Sequence, residues 1–587
     1  MEIVTLQFGN LTNHVMTHYW NIQDEKLKNP EIQPSTEMYE LDHKEGYYPF
    51  TIFFDRKDMF GNYFGCFNEE RIDPLEAQDD IINQWQGGYI VNEQDYIEKS
   101  EFANALDGID EEIEAEKHRK QQEQEEQERY SSMLLNKASS DNRQNMFAEF
   151  LKASMQHEEE DKKQEEAKEE SKEPEKCEDL YRKFKFDEGN VRYFTDYLQP
   201  QLSPKSRIEI PYHQGSWSIF SEGGLMLQDK YLLEDVTDQF RNMLEKTDNM
   251  QALRVLADID CGFGSFAAKY IEEIKDEIPK KTIVLYSLTG PDVNTNMFTD
   301  ERQSITKELR SYNLPFAVAS FNELVNANIP IDLNYQGQIK RFGEYITDFK
   351  GDSLFNTSSI PALALNDFWA PLRSRKPAHT VDTILNPLVM FDKANIILNN
   401  IKVPFIKEPE FSGGINKMFE ENQLEECWTK KEFIHLSSPF WGPLQKSKPY
   451  HIQMNWSGSV HNKFGHAKVL DQARDYCNEK FGCYNINLIE ERTLLPIPFP
   501  RFLSPKFNCN GELAHKDTKE FMNNISTLSS LYCTGDIGMI IENVFLKTVK
   551  NIPYKHRQQF IKEDYMEEDD LIETREKMQN IADAYMD

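Results

Sequence analysis

The chain has 587 residues, of which 39% are hydrophobic and 12% aromatic, and its net charge is -34 at pH 7. This length exceeds one ordinary domain, and the apolar content excludes a wholly disordered chain. Because no local basic patch offsets the acidic excess, direct binding of nucleic acid or of an anionic membrane surface is disfavoured.

The cysteines and the first residues of the chain indicate the cellular compartment in which the protein is expected. None of the eight cysteines forms a Cys-x-x-Cys pair, so a structural zinc site is disfavoured and reduced thiols are expected. The opening MEIVTLQFGN has no signal-peptide apolar block, and no run of 18 apolar residues occurs. We therefore expect a cytoplasmic protein that meets organelles only peripherally.

The first predicted elements alternate between strand and helix. Residues 3–8 predict a strand, residues 13–20 a helix, and residues 49–54 a second strand that ends at Asp55. Runs of Val, Ile, Thr and Phe favour extended backbone. Apolar strands that alternate with helices are typical of a parallel sheet covered on both faces, so the pattern predicts an α/β fold of the doubly wound, Rossmann type.

An acidic insertion interrupts this pattern at residues 110–176. Residues 110–129 hold 9 acidic and 4 basic side chains, and residues 157–176 hold 10 acidic and 5 basic ones. Such a composition buries too little apolar area to offset the entropy of ordering, so it predicts a disordered surface insertion whose removal leaves the core intact. The alternative, a coiled-coil arm, needs apolar a and d positions that these runs lack.

Strand and helix patterns resume after the insertion. Strands are predicted at residues 252–259, 282–288 and 315–321, with a helix at residues 266–277. Further on, a strand at residues 451–456 and a helix at residues 465–480 indicate a smaller α+β unit. We therefore expect a parallel-sheet domain in two parts, residues 1–109 and 177–400, separated by the acidic insertion 110–176, then a second α+β domain at 401–550 and an acidic helical tail at 551–587.

A glycine-containing turn at residues 255–271, VLADIDCGFGSFAAKYI, is the first candidate site. Glycine amides that open a helix are suited to binding phosphate. Alone, the turn is similar to the glycine motif of S-adenosylmethionine-dependent methyltransferases, which expects an acid after the next strand, where Thr289 stands. A tight turn without a ligand is the third interpretation, since Asp258 and Asp260 would repel phosphate.

The opening EIVTLQFGNLTNHVMTHYW resembles the N-terminus of tubulin, in which a strand leads into a nucleotide loop and a helix that carries a Trp. Gly9, Asn13 and Trp20 stand in matching places. Further tubulin-like segments follow in the same order: FFD at residues 53–55, NQWQGGY at residues 83–89, and the glycine turn with its helix at residues 262–279. This common order predicts a tubulin-like fold.

Four segments resemble the Misato family of divergent tubulin-like proteins more closely. They are VRYFTDYLQPQLSPKSRIEIP at residues 191–211, GSWSIFSEGG at residues 215–224, DIDCGFGSFAAK at residues 258–269, and SLFNTSSIPALALNDFWAPLR at residues 353–373. The resemblance implies a tubulin-like GTPase fold and a role in the partitioning and inheritance of mitochondria and mitochondrial DNA. Its implied partners are proteins at the mitochondrial surface or the cytoskeleton.

The same resemblance implies a nucleotide site. We expect its residues to converge at the carboxyl ends of parallel strands. The candidates are Gly9, Asn10, Asn13, Asp55, Gly87, Gly262, Gly264 and Ser265. GTP is expected to bind weakly, because Asp258 or Asp260 opposes it and because tubulin's loop is richer in glycine.

The residues that complete hydrolysis in tubulins have no clear counterpart. Residues 384–391, ILNPLVMF, are the best candidate segment, in which Asn386 fits but Leu388 and Phe391 fall on the acid positions. Without those acids, activation of water is not expected, so we assign no catalytic residue and expect no head-to-tail filaments. An active GTPase is the alternative, and a methyltransferase is the less favoured one.

One histidine pair could bind a metal in principle. His14 and His18 are four residues apart on the first predicted helix, and the sequence indicates no carboxylate partner for them. We predict a surface or packing role for both and no metal site.

Overall fold

The structure is a computed structural model. It describes residues 2–28, 39–42, 46–62, 97, 99–105, 184, 186, 191–210, 217–290, 307–343, 345–373, 379–391, 395–405, 420, 433–437, 447–458, 466–481, 484–504, 522–561 and 566–586. The predicted disordered insertion at residues 110–176 lies outside the described residues.

The chain forms two compact units, one from Met1–Glu98 with Phe186–Asp587 and the other from Lys99–Lys185. In the smaller unit, residues 101–105 are helical, and Ser100 Oγ accepts a hydrogen bond from the backbone N–H of Ala103 at 3.1 Å. The rings of Phe102 and Phe184 pack edge to face, 5.4 Å apart. The elements below all belong to the larger unit.

The described strands of the larger unit form two main sheets and two two-stranded sheets. They are β1 (Glu2–Phe8), β2 (Tyr39–Asp42), β3 (Gly46–Pro49), β4 (Thr51–Arg56), β5 (Arg207–Ile210), β6 (Met250–Asp258), β7 (Thr282–Thr289), β8 (Ala327–Asp332), β9 (Leu398–Lys402), β10 (Ile434–His435), β11 (His451–Ser457), β12 (Tyr484–Ile489), β13 (Thr493–Leu494), β14 (Asn524–Ile525) and β15 (Thr527–Cys533).

The helices of this unit cover the sheets. They are α1 (Asn10–Lys28), α2 (Phe220–Met226), α3 (Lys230–Glu245), α4 (Phe263–Ile274), α5 (Lys307–Phe321), α6 (Gln336–Ile339), α7 (Leu354–Thr357), α8 (Ser359–Trp369), α9 (Val381–Leu385), α10 (His466–Lys480), α11 (Asp536–Ile540), α12 (Lys547–Lys550), α13 (Tyr554–Phe560) and α14 (Glu568–Met586). A π-helical turn, Ile541–Leu546, joins α11 to α12. Among the described residues, no helix is long and apolar enough to span a bilayer.

The first sheet is parallel, with the order β5-β4-β1-β6-β7-β8. Its inner strands are apolar along most of their length because both faces are covered. On β1, Val4, Leu6 and Phe8 enter the hydrophobic cluster on one face, while Ile3 enters the cluster on the other. The α/β parallel sheet predicted from the sequence is confirmed.

The second sheet has the order β10-β9-β15-β11-β12. It is mixed, because β11 and β12 run parallel while the other neighbours are antiparallel. The C-terminal helices follow it, and Tyr585 of α14 donates its hydroxyl to the carbonyl of Ile396 at 3.3 Å. The predicted second α+β region and C-terminal helices are therefore present.

Helix α8 links the first helix to the second sheet. All its residues are buried, as expected of a helix that is largely apolar on every side. Asn366 accepts hydrogen bonds from Gln23 and Lys26 of α1, at 3.1 and 2.8 Å. The adjacent Asp367 accepts from the hydroxyls of Ser457 on β11 and Thr527 on β15, at 2.8 and 2.9 Å.

One predicted strand is wrong. Residues 315–321 form the last part of helix α5, with Pro315 inside the helix. Leu314, Phe316 and Ala317 are all buried. The segment therefore lacks the alternation of apolar and polar residues that would reveal a helical period. A short apolar run of this kind cannot be assigned to strand or buried helix from periodicity alone.

Candidate functional site at the carboxyl edge of the parallel sheet

The predicted site residues lie at one edge of the parallel sheet. Strands β4, β1 and β6 are neighbours, so their carboxyl ends are adjacent. Residues from three segments come together there: Gly9, Asn10 and Asn13 after β1, Asp55 on β4, and Gly262, Gly264 and Ser265 after β6. The eighth candidate, Gly87, lies outside the described residues. Nucleotide binding by this group stays a prediction.

A carboxylate of the chain occupies the N-terminus of α1. Asp258, the last residue of β6, accepts the backbone N–H of Leu11 on Oδ2 at 3.0 Å. Its Oδ1 accepts both the backbone N–H and the hydroxyl of Thr12, at 3.0 and 2.9 Å. The first helical amides are the position at which a helix attracts an anion. Asp258 supplies that anion and is fully buried.

The turn between β1 and α1 is built closely around this carboxylate. Gly9 has φ +98°, a conformation that side chains disfavour. A Cβ atom at position 9 would lie 2.5 Å from Oδ2 of Asp258. Glycine is therefore required both for the backbone conformation and for the approach of Asp258.

A second buried carboxylate lies at the end of the neighbouring strand. Asp55 Oδ2 accepts from Nδ2 of Asn13 at 2.7 Å, and Asp55 Oδ1 accepts from the backbone N–H of Arg56 at 2.9 Å. Burial raises the pKa of Asp55 well above its ordinary value, and the nearby charge of Asp258 raises it further. A raised pKa favours the neutral form of Asp55, so the opposition to an anion at this edge rests on the carboxylate of Asp258.

The glycine turn before α4 is covered by helix α2. Ser265 Oγ accepts the backbone N–H of Gly224 at 2.9 Å and donates to the carbonyl of Phe220. A Cβ atom at Gly223 would lie 1.8 Å from the carbonyl oxygen of Gly262, so the two backbones are in direct contact. The described turn is a packing interface between α2 and α4.

Helix α5 also secures this turn. Nδ2 of Asn313 donates to the carbonyls of Ser218 and Asp260, at 2.8 and 2.7 Å. The side chain of Asp260 accepts the backbone N–H of Gly290 at 2.8 Å, and its Oδ2 lies 3.9 Å from Nε of Arg310. Asp260 is therefore a buried structural acid.

The residues at this edge do not fit a phosphate as the chain is folded. A phosphate at the N-terminus of α1 would have to displace Asp258 from three hydrogen bonds. Hydrogen bonds to a charged group contribute about 1.5–3 kcal/mol each, so the displacement costs several kcal/mol. The contact between Gly223 and Gly262 hinders a second approach at the glycine turn.

The histidine pair packs in the core, which is one of the two roles expected from the sequence. His14 Nδ1 lies 2.9 Å from the hydroxyl of Tyr197, and His18 Nε2 lies 2.8 Å from the carbonyl of Phe355. Both rings are buried, and burial lowers the pKa of each to about 3. Both histidines are therefore neutral at physiological pH.

The segment considered for hydrolysis is only partly buried and includes the end of α9, whose Asp382 accepts from the hydroxyl of Thr282 at the start of β7. Leu388 is fully buried, and the ring of Phe391 packs edge to face against Tyr585 at 4.8 Å. Asn386, which follows α9, is exposed. Neither Leu388 nor Phe391 has a group that can activate water.

Sequence reasoning noted Asp258 as a repulsive charge but missed its role as the cap of α1. One signal was present, since the first turn of α1 contains no acidic residue. A helix start without its own acid, beside a strand that ends in Asp, indicates a cap supplied by the neighbouring strand. The contacts that cover the glycine turn gave no comparable signal; they are made by Gly223, by Asn313 and by Trp217, whose carbonyl accepts the backbone N–H of Gly262 at 2.9 Å.

Two family models match the chain. One, described as a Tubulin domain, matches residues 184–373, and the other, described as a Misato Segment II tubulin-like domain, matches residues 1–108. Together these segments contain every strand of the parallel sheet.

Curated relatives come from fungi and a fish. Protein DML1 of Gibberella zeae is 24% identical over 464 residues, which cover 74% of this chain and 74% of the relative. Protein misato homolog 1 of Danio rerio is 25% identical over 305 residues, 49% of this chain and 45% of the relative. Protein DML1 of Candida albicans is 24% identical over 273 residues, 40% of this chain and 45% of the relative. For the last two, the chain spans less than half the relative's length.

Proposed function

The chain belongs to the Misato family and carries tubulin-like domains, and from this premise we propose that it acts in the distribution and inheritance of mitochondria. It does so through contacts with other proteins and without turnover of a nucleotide. Its partners are proteins of the mitochondrial surface or the cytoskeleton, and it works in the cytoplasm and at the outer face of the organelle. The mitochondrial role rests on the family resemblance.

The carboxylate of Asp258 carries the non-catalytic part of this proposal. It holds the amides of Leu11 and Thr12, the donors that a tubulin-like fold would offer to a phosphate. The buried Asp55 adds a second acid at the same edge. Because catalysis of phosphoryl transfer depends on positioning and neutralising phosphate charge, an edge whose helix amides are already held by an acid of the chain is unsuited to it.

Calorimetric titration of the full chain with GTP and magnesium tests the nucleotide part. We expect no binding tighter than the micromolar range, and no nucleotide released on acid precipitation of the purified protein. Sub-micromolar affinity, or stoichiometric nucleotide in the precipitate, would favour the GTPase alternative.

Depletion and rescue in cells test the mitochondrial part. We expect depletion to disturb mitochondrial shape or inheritance and the wild-type chain to restore it. Asn386→Ala is an informative variant, because Asn386 is exposed and is the one residue that fits the tubulin hydrolysis segment. Rescue equal to wild type supports a role without turnover, whereas failure of this folded variant points to catalysis if the wild-type protein also turns over GTP and the variant does not. Normal mitochondria after depletion would refute the role itself.

Fractionation tests the location. Protease added to intact mitochondria should digest any bound fraction of the protein, since we place it on the outer face. A fraction that is protected until the outer membrane is opened would put the protein inside the organelle.

A further inference from the structure

A polar cavity lies at the free edge of the second sheet, in the same compact unit but on different elements from the site above. Its volume is ≈ 760 Å³, within the range of about 300–1,000 Å³ typical of small-molecule sites. Strands β11 and β12, helix α10 and the start of α9 contribute its walls. Strand β12 is the edge strand, and all its residues are partly exposed, so the cavity opens to solvent there.

Side-chain amides form the floor of this cavity. Gln453 on β11 stands in register with Asn485 on β12, and Asn455 stands in register with Asn487. Asn487 Nδ2 donates to Asn455 Oδ1 at 2.8 Å, which orients the row. Side-chain amides offer both donors and acceptors, so such a floor suits a ligand that carries hydroxyl groups or a polar ring.

Two buried or half-buried polar atoms at the cavity have no hydrogen-bond partner among the described residues. They are Oε1 of Gln453, which is a fully buried side chain, and Nε2 of His451. Buried polar groups are nearly always hydrogen-bonded, because leaving one unpaired costs about 1–3 kcal/mol. Both residues line the cavity, so a small rotation of either side chain would let a bound molecule supply the missing hydrogen bond.

The charge of the cavity differs from that of the chain. Arg474 of α10 lines it, and among the described lining residues there is no Asp or Glu. Burial lowers the pKa of the other two basic lining residues, His379 and His451, so Arg474 supplies the positive charge at pH 7. The chain as a whole has 100 acidic and 66 basic residues, so a lining of this kind is unusual for it. Arg474 has no ion pair with any described residue. The nearest acid on α9, Asp382, accepts instead from the hydroxyl of Thr282 at 2.8 Å.

We propose that this cavity binds a small organic anion, whose phosphate or carboxylate pairs with Arg474 and whose polar body lies on the amides of Gln453 and Asn485. A guanidinium matches the paired oxygens of either anion. The amide floor selects for a body with hydroxyl groups or ring nitrogens, and the volume admits a molecule the size of a sugar phosphate or a nucleoside monophosphate. This site is independent of the edge that Asp258 closes.

Thermal denaturation of the full chain tests the proposal, with AMP, glucose 6-phosphate and citrate as probes at millimolar concentration. A ligand that binds only the folded state raises the midpoint, and we expect at least one probe to raise it by about 2 °C. Inorganic phosphate at the same concentration should raise it less, because it has no polar body to meet the amides.

Two variants assign the effect to the cavity. Arg474→Glu reverses the charge of an exposed side chain and should abolish the shift, and Asn485→Asp should weaken binding at least tenfold by placing an acid on the floor. Arg341→Glu is the matched control, because Arg341 is also exposed and does not line the cavity. No shift with any of the three probes, or a shift that survives in both cavity variants, would overturn the proposal.

Discussion

Thr12 donates both its backbone N–H and its hydroxyl to one oxygen of Asp258, a residue 246 positions further along the chain. The contact joins the start of α1 to the end of β6, two segments that separate family models match. The N-terminus of α1 therefore depends on a strand that lies much further along the chain.

Replacement of Asp258 by Asn should therefore be costly. The side-chain amide nitrogen would face a donor, so at least one hydrogen bond is lost and the negative charge that stabilises the helix N-terminus disappears. We expect a loss of about 2–4 kcal/mol in the free energy of unfolding, measured with urea. Asp229→Asn is the matched control, because Asp229 caps α3 through one exposed bond to the N–H of Tyr231 and should cost less than about 1 kcal/mol. Equal losses would contradict the buried-cap explanation.

Substitution by alanine should have opposite effects on stability at Gly9 and at Gly337. Gly9→Ala places a Cβ atom 2.5 Å from Asp258 Oδ2 in a backbone conformation that alanine disfavours. We expect a loss of about 3 kcal/mol and a lower thermal midpoint. A Cβ atom at Gly337 meets nothing within 4 Å, so Gly337→Ala should be neutral or slightly stabilising. A Gly9→Ala protein as stable as wild type would show that the turn can relax.

Acid should destabilise the protein through its two buried histidines. The pKa of both His14 and His18 is lowered from 6.5 to about 3 in the folded state. Between these values the unfolded chain binds more protons than the folded one, so stability falls as the pH is lowered from 6.5 towards 3. Each histidine contributes a slope of about 1.36 kcal/mol per pH unit.

Urea midpoints measured between pH 7 and 5 check this slope. His14→Gln should reduce the slope of stability against pH by the contribution of one histidine. Tyr197→Phe removes the hydroxyl that contacts His14 but leaves the titrating group, so it should lower stability while keeping the slope. An unchanged slope in His14→Gln would mean that other groups cause the acid sensitivity.

Arg254 is a buried cation held by aromatic rings. Its guanidinium lies over Tyr19, Trp20 and Trp369, at 4.5, 5.3 and 5.4 Å from the ring centroids, and it donates to the hydroxyl of Thr5. A lysine would bury a more strongly hydrated charge that cannot stack on rings. We expect Arg254→Lys to cost about 3 kcal/mol and the apolar Arg254→Met to cost less, both measured by chemical denaturation. The reverse order would show that charge, and not stacking, holds the residue.

The strands of the parallel sheet could be predicted because their signal is local. Residues 3–8, 252–259 and 282–288 are continuous apolar runs, and the observed strands differ from them by two residues or fewer at each end. The helix that contains Pro315 was misread because burial on every side removes the periodic signal. Its assignment depends on packing partners far away in the chain.

For the candidate site, the sequence predicts which residues lie near one another but not which hydrogen bonds they form. Parallel strands bring their carboxyl ends to one edge, so the approach of Gly9, Asp55 and Gly262 follows from strand order. The bond from Thr12 to Asp258 does not, because it depends on the register of β1 against β6. The amide row of Gln453 and Asn485 depends in the same way on the register of β11 and β12.

Because Asp258 is part of the chain, the cap of α1 does not depend on a supply of nucleotide. A protein that needs a bound nucleotide to complete its fold gains stability in proportion to the logarithm of the nucleotide concentration, and loses it when that supply is exhausted. Here the charge that completes the helix N-terminus is covalently attached, so starvation or respiratory failure cannot remove it. In the proposed mitochondrial role, this cap would stay in place when the supply of nucleotide falls.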